Sequence, residues 1–472
     1  MAKTPISRVR PSLIRGLALS LLSCAPVGAA GEGAFPGADG YGVQAVGWKG
    51  GMITAVTTLA DAGPGSLRAC AQDLGSRPRI CIFGVAGTID LQGPIMVGSN
   101  VYIAGQTAPG DGVQLRIIGG RHGPLIVKNA HDVVIRHLKL RPGPSRDPSP
   151  TVDAITVENA RHVMLDNLSM SFATDETFNI HVSNSTASDI TLSDSILSLS
   201  LDRTNHPKGR HSKGALICSA EGVYNACGRI SLLRNLFAHH RDRMPDVKGT
   251  SIGPVEVINN IFYNPISQFG EVYDLLGDAD VAYVGNVALT GPSTVRKTPE
   301  AVQVFEWEDE NTVRLMVADN VTGTPAGCRL RHFQVLDAVA RGQQVSDDLP
   351  TLSVAPMPAA EIVDHLLAHA GDRIAGTRDL DSLDAQVTAD VIACTGQVID
   401  EVAQVGGWPD LATINDPAQM RDTDGDGLPD AWEAGRDDLD PENANDPWAH
   451  DALTGLSFVE SWLAEMAGDP LD

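Results

Sequence analysis

A short phrase recurs along this chain from about residue 100 to residue 325. It reads Val101-Tyr102-Ile103, then Val133-Val134-Ile135, Val163-Met164-Leu165 and Ile190-Thr191-Leu192. Ile230-Ser231-Leu232, Val255-Glu256-Val257 and Val281-Ala282-Tyr283 follow. Each is a brief alternation rich in β-branched residues, the pattern of a strand. A polar slot comes next, in front of another apolar residue: Asn167-Leu168, Ser195-Ile196, Asn235-Leu236, Asn260-Ile261, Asn286-Val287 and Asn320-Val321. The slots lie 28, 40, 25, 26 and 34 residues apart. Helical repeats need longer stretches of 3.6-residue periodicity, and none occurs here. Strands at this irregular spacing, without helices between them, fit the stacked coils of a parallel β-helix with loops of varying length. There the Asn side chains stack at a turn and bond the neighbouring backbone. A β-sandwich is the competing fold, but the recurrence of the amide at one place in each phrase favours the β-helix.

Composition agrees with a turn-rich, aliphatic fold. Of 472 residues, 43% are hydrophobic, only 5% are aromatic, and 47 are Gly and 29 Pro, which argues against disorder and against a helical bundle. At roughly 150 residues per domain, the length suggests about three domains. The net charge is −24, and residues 421–472 alone hold 15 acids against two bases. That excess excludes a general nucleic-acid binder and suggests a cation site in the tail. Beyond the N terminus no apolar run is long enough for a transmembrane segment.

The first thirty residues read as an export signal. Lys3, Arg8, Arg10 and Arg15 precede the short apolar stretch from Leu17 to Cys24, and small residues end at Gly28-Ala29-Ala30. The expected location is extracellular or periplasmic. Leu21-Leu22-Ser23-Cys24 also resembles a lipoprotein box, so lipid on Cys24 is the alternative. Six cysteines remain, an even number that permits three disulfides in an exported protein. Near neighbours are the expected pairs: Cys70–Cys81, Cys218–Cys227 and Cys328–Cys394. The expected division is a β-helix over 31–345, a helical segment over 346–420 and an acidic appendix over 421–472. In the helical segment, Ala359 to Ala370 has an amphipathic pattern and Ala385 to Ala393 suggests a second helix, packed on the end or side of the solenoid.

Two constellations carry chemistry. In the appendix, Asp422, Asp424, Asp426, Asp430 and Glu433 fall at positions 1, 3, 5, 9 and 12 of a loop. Gly427 sits at the sharp turn and Leu428 offers a backbone carbonyl, the EF-hand order of oxygens for Ca²⁺. The alternative is a solvated acidic loop. A second loop, Asp451 to Ser461, looks degenerate. The other constellation is spread over several coils: Asp153, then Asp175 and Asn179, then His211 and Lys213, then Arg241, Arg243 and Lys248. Stacked coils would bring the first three together as oxygen ligands for Ca²⁺. A cation beside Lys and Arg is a receptor for a polyanionic uronate chain.

Several phrases resemble secreted bacterial pectate lyases: Phe35-Pro36-Gly37-Ala38-Asp39-Gly40-Tyr41-Gly42, Gly63-Pro64-Gly65-Ser66-Leu67-Arg68 and Gly105-Gln106-Thr107-Ala108-Pro109-Gly110-Asp111-Gly112. The stretch from Ile135 to Gly143 and Ala173-Thr174-Asp175-Glu176 extend the resemblance over residues 34–420. The EF-hand-like or dockerin-like loop is a common C-terminal attachment to such enzymes. The resemblance implies a right-handed parallel β-helix and calcium-dependent β-elimination of polygalacturonate. It implies Asp153 and Asp175 as calcium ligands, with Asn179 where the family has a further Asp. It makes Arg243 the catalytic base, Lys213 a contact to the uronate carboxylate, and Lys248 the place of a second substrate-binding Arg. An extra acid found in some members is Thr151 here. His211 and Arg241 join the expected substrate-binding set.

H5 of a galacturonate lies α to a carboxylate and is hardly acidic in water. Ca²⁺ and Lys213 would neutralise that carboxylate and stabilise the enolate-like anion left when Arg243 takes the proton. An arginine base is physically awkward, because its pKa normally lies above about 12. Two other readings compete: a lyase or hydrolase acting on another acidic polysaccharide, and a non-catalytic carbohydrate-binding β-helix. The expected partner is an acidic polysaccharide, and the expected state a monomer.

Overall fold

The fold is taken from a computed structural model, which describes residues 33–72, 74–249, 252–295, 299–307, 310–323, 332–346, 349–415 and 420–471. The expected export signal, Cys24 and Cys328 lie outside these residues. The recurring phrases pair with one another in parallel. Val101 lies opposite Val133, Val133 opposite Val163, and Val163 opposite Ile190. Ile190, Ile230, Val255 and Val281 continue the same row. They form a ten-stranded first sheet running from Met52–Val56 to Val313–Ala318. A nine-stranded second sheet runs from Ile95–Val97 to Gln334–Leu336. The third sheet runs from Val85–Leu91 to Val321–Gly323, with Ile414–Asn415 added antiparallel at one edge. One strand from each sheet makes a coil, and the coils stack into the expected parallel β-helix. Apolar side chains from all three sheets, among them Val133, Leu165, Phe178, Ile217 and Leu115, fill one continuous interior.

At the corner between the first and third sheets the polar slot forms a ladder. Asn260 Oδ1 accepts from the Asn235 amide nitrogen at 2.9 Å, and Asn286 Oδ1 accepts from that of Asn260 at 2.9 Å. Asn320 Oδ1 does the same for Asn286 at 2.9 Å. Ser195 Oγ accepts from the Leu168 amide at 2.9 Å. Each buried carboxamide therefore satisfies backbone groups that a tight turn would otherwise leave unpaired. Asn167 departs from the expected slot. Leu168 holds the ladder position, so the true spacing to Ser195 is 27 residues. Asn167 sits one residue earlier, in the left-handed conformation at φ 49°. Asp194, Arg234, Asn259, Gly285 and Asp319 share that turn position and its positive φ. Asn tolerates it well, so the residue type alone does not distinguish the two neighbouring positions.

Helices Ala359–His369 and Ser382–Ala393 pack along the side of the solenoid, on the outer face of the third sheet. Ile362, Leu366, Val387 and Val391 meet Leu236, Ile261 and Tyr263 there. Buried ion pairs complete the contact: Arg141 reaches Asp381 at 2.7 Å and Asp384 at 3.0 Å, and Arg378 reaches Asp372 at 2.6 Å. The short helix Ala338–Gly342 places Ala340 against the last coil. Residues 420–471 lie over the first sheet, where Trp462 and Leu463 cover Trp48, Ile80 and Tyr102. Cys70–Cys81 and Cys218–Cys227 are disulfides. No helix among the described residues is long and apolar enough to cross a membrane.

The ladder predicts a specific cost. The Asn260 side chain is fully buried and bonds Asn235, Asn286, Leu232 and Ile258. Truncation leaves the buried Asn235 N–H unpaired and removes bonds to the Leu232 carbonyl and the Asn286 carboxamide, at about 1–3 kcal/mol for each group left without a partner. Asn260→Ala should therefore lower the denaturant midpoint by the equivalent of roughly 2–6 kcal/mol. A loss under about 1 kcal/mol would mean that the ladder adds little beyond the strand pairing.

Candidate active site

Two polar rows cross the second sheet. The first lies where its strands begin: Glu176 is opposite Lys213, and Lys213 is bridged to Asp242. Asp153 adjoins them, and its Oδ1 accepts the Glu176 amide at 3.2 Å. The second row points away from the core and runs Thr156, Asn179, Leu216, Asp246, Glu271, Gln303 on successive coils. The period-two alternation that buries Phe178, Ala215 and Val247 forces this row outward.

Carboxylate oxygens of Asp153, Asp175 and Glu176 gather within 4.8 Å of one another. Thr156 Oγ1 donates to Asp153 at 2.6 Å, and Asn179 Nδ2 donates to it at 3.2 Å. Asn179 thus turns its N–H toward the cluster, while its oxygen accepts from Ser219 at 3.3 Å. Burial and the Asp175 charge push the Asp153 carboxyl up to about 7. Burial and the same neighbour also raise Glu176 well above the ordinary carboxylate range, against the pull of Arg243. Asp175 behaves oppositely. Burial opposes its charge, but contacts with His206 and His211 hold its carboxyl below the ordinary range. His211 Nε2 lies 2.7 Å from Asp175, and the His206 ring stacks on His211 at 3.9 Å.

The bases face this cluster. Arg243 adopts φ 61° and pairs its guanidinium with Glu176, with Nε 3.3 Å from Asp246. Burial disfavours its charge, but Glu176, Asp246, Asp242 and Glu271 hold it protonated above its ordinary range. Lys213 Nζ lies 2.6 Å from Asp242. Lys248 Nζ lies 2.9 Å from Asp246 and 3.6 Å from the centre of the Tyr273 ring. Arg241 is not brought into this group; Asp202 holds its fork with two bonds of 2.6 Å. Sequence reasoning omitted Glu176, Asp242, Asp246 and Glu271 from the site. Asp242 and Asp246 carry a sequence signal, acid interleaved with base in Arg241-Asp242-Arg243 and Asp246-Val247-Lys248; Glu176 only adjoins Asp175, and Glu271 in Gly270-Glu271-Val272 has no such signal.

Three buried carboxylates at this separation repel one another. Their hard oxygen donors fit a divalent cation of the Ca²⁺ type, which would remove that repulsion. Asp153, Asp175 and Glu176 are the residues placed to hold it; Asn179 stands at the margin. In the appendix, Asp422, Asp424 and Asp426 also bring oxygens within 4.8 Å of one another. Asp430 instead accepts from the Thr423 amide and hydroxyl, both at 2.7 Å, and Leu428 is fully buried.

Gly214 supplies the closest constraint on Arg243. A Cβ there would lie 2.3 Å from the Arg243 carbonyl oxygen, inside van der Waals contact. Gly214→Ala should displace the Arg243 backbone and weaken any function of its side chain by at least about tenfold, with the fold retained. Unchanged function with unchanged circular dichroism would show that the position of Arg243 is not limiting.

No protein-family model matches the chain. Among curated proteins, a probable pectate lyase C of Aspergillus terreus is 32% identical over 438 residues, covering 91% of this chain and 93% of that protein. A protein of the same name from Aspergillus flavus is 31% identical over 471 residues, covering 96% and 97%. Both relatives are fungal. Among solved structures, jun a 1, the major allergen from cedar pollen, aligns with a TM-score of 0.49 at 17% identity, over 71% of this chain and 92% of that one. With this identity sustained over nearly the whole of both curated proteins, the chain belongs to the pectate lyase family.

Proposed function

We propose that this protein is secreted and cleaves polygalacturonate by calcium-assisted β-elimination. The supporting observation is the placement of Lys213, Arg243 and Lys248 on neighbouring coils, beside three carboxylates that fit a hard cation. Asp153, Asp175 and Glu176 would hold the ion. Bound Ca²⁺ would neutralise the substrate carboxylate and so acidify the proton on C5. Lys213 would exchange Asp242 for that carboxylate and stabilise the anion that forms. Arg243, having first given up its own proton to solvent, would take the C5 proton as the C4–oxygen bond breaks; water would protonate the departing oxygen, leaving an unsaturated uronate.

Glu176 links these roles. In the free protein it is the closest partner of the Arg243 guanidinium and one reason why that group stays protonated. As Glu176 turns toward the cation site, Arg243 loses that stabilisation of its charge, which moves it toward the basic role. Lys248 grips a further carboxylate as a point charge on the Tyr273 face, without the planar fork of an arginine. His211 acts through Asp175, which it orients.

Incubation with polygalacturonate should produce the ultraviolet absorbance of an unsaturated uronate. New reducing ends without that absorbance would mean hydrolysis instead. Arg243→Lys should lower turnover by about 10²–10⁴-fold with the fold intact; a rate near wild type would remove Arg243 from the mechanism.

The cation and the Asp153 proton compete for the same oxygens. Calcium affinity at the cleft should therefore fall as pH drops below about 7, by up to about tenfold per pH unit for each proton displaced. Calorimetry on wild type and Asp153→Asn isolates this site, and a cleft affinity independent of pH would contradict the assignment.

A further inference from the structure

The acidic loop of the appendix carries a second buried feature. Its aspartates already order the turn: Asp422 accepts from the Gly425 amide at 2.7 Å and the Gly427 amide at 2.9 Å, and Asp426 accepts from Leu428 at 2.8 Å. These bonds alone require no ligand. Glu433, at the end of the loop, differs. It is 0% exposed, and its Oε2 has no partner among the described residues. Oε1 receives only the Asn445 side chain, at 3.3 Å. Burial and the charges of Asp426, Asp424 and Asp422 push its carboxyl up to about 7. Asp424 Oδ2 is likewise unpartnered. An ionised, buried Glu433 within electrostatic reach of three half-buried aspartates is costly unless a cation lies between them.

The second loop resolves the same problem differently. Asp451 is 0% exposed and its Oδ2 is also without a hydrogen-bond partner among the described residues, but its Oδ1 lies 2.7 Å from the Arg436 guanidinium. Arg436 is itself packed on the rings of Trp432 and Phe458, at 4.7 and 5.5 Å. A fixed side-chain cation therefore stands where the first loop has none.

The first loop also leans on the solenoid. Gly427 adopts φ 98°, and a Cβ there would lie 2.6 Å from Ile53 Cδ1 on the opening strand of the first sheet. Leu428 belongs to the apolar cluster that covers Trp48 and Tyr102. Around that cluster, Trp448 Nε1 donates to the Gly51 carbonyl at 3.0 Å, and Arg136 grips Asp469 with two bonds of 2.7 Å.

We propose that one Ca²⁺ ion, held by Asp422, Asp424, Asp426 and Glu433, is the clasp that docks residues 420–471 onto the first sheet, and that Arg436 replaces a second ion at Asp451. The clasp is independent of the reaction in the cleft. Without the ion, four carboxylates crowd the turn that presents Leu428 and Gly427 to Ile53. With it, the turn is fixed and the apolar cover closes over Trp48, Tyr102 and Met164.

Hydrogen exchange on the full chain tests this, with Ca²⁺ as the probe and EGTA as its chelator. Protection of residues 456–467 and of strand Val101–Ala104 should fall at least about tenfold on chelation and return with Ca²⁺. Glu433→Gln should weaken calcium binding in the appendix at least about tenfold and remove that response; if it does not fold, Asp424→Asn serves with the same expectation. Calorimetry on Asp153→Asn, at calcium concentrations too low to fill its weakened cleft site, should count one ion. Protection indifferent to chelation, or a Glu433→Gln protein that responds like wild type, would overturn the clasp. Two ions in Asp153→Asn would overturn the role of Arg436.

Discussion

Parallel backbone pairing, locked in register by buried β-branched side chains, carries every other feature of this molecule. A slip of one residue in any coil would exchange its inward and outward faces. It would turn Asn179 or Asp246 into the apolar core and Phe178 or Val247 out of it. The Asn ladder adds a second lock at the corner between the first and third sheets, because each carboxamide accepts from the coil before it and bonds the coil after it. With register fixed twice, residues far apart in sequence arrive on one face at strand spacing, about 4.8 Å per coil. Asp153, Glu176, Lys213 and Asp242 owe their proximity to that stacking alone.

The resulting cleft is built from unresolved charge. Asp153 and Glu176 resist ionisation, Asp175 is held ionised by two imidazoles, and Arg243 is held protonated by four acids. Glu176, Lys213, Arg243 and Lys248 each have an opposite neighbour, whereas Asp153 has only neutral donors. The same pairings are what a cation and a polyuronate would rearrange. On the proposed function, a carboxylate substrate would compete with Asp242 for Lys213 and with Asp246 for Lys248, while a divalent ion would compete with Arg243 for Glu176.

Much of the architecture is legible in the sequence because its signal is local. Val101-Tyr102-Ile103 and its repeats declare strands, and the amide slots declare a turn. Asn167 misleads because Asn suits both the ladder slot and the left-handed position before it. The strands of the second sheet are harder to see. Some are as short as Asp246–Val247, and their polar residues obscure the alternation. Glu176 stays outside the expected ligand set for a related reason. Whether Asp175 or Glu176 turns toward the cluster depends on where the strand begins, and both do. The docking of the appendix rests on contacts such as Arg136 with Asp469, which no local pattern encodes. The basic set of Lys213, Arg243 and Lys248 stands out in the sequence, and the family resemblance gives it roles; neither reveals the acids that hold it.

The central claim is that a cation held by the cleft carboxylates is needed for elimination across this stacked face. The most direct measurement is polygalacturonate turnover by the full chain, followed as unsaturated product, after chelation with EGTA and again after Ca²⁺ is restored. The account predicts that product formation stops on chelation and recovers with calcium, and that Asp153→Asn needs far more calcium for the same recovery. Undiminished turnover in the chelated enzyme, or an Asp153→Asn protein with wild-type calcium dependence, would contradict it.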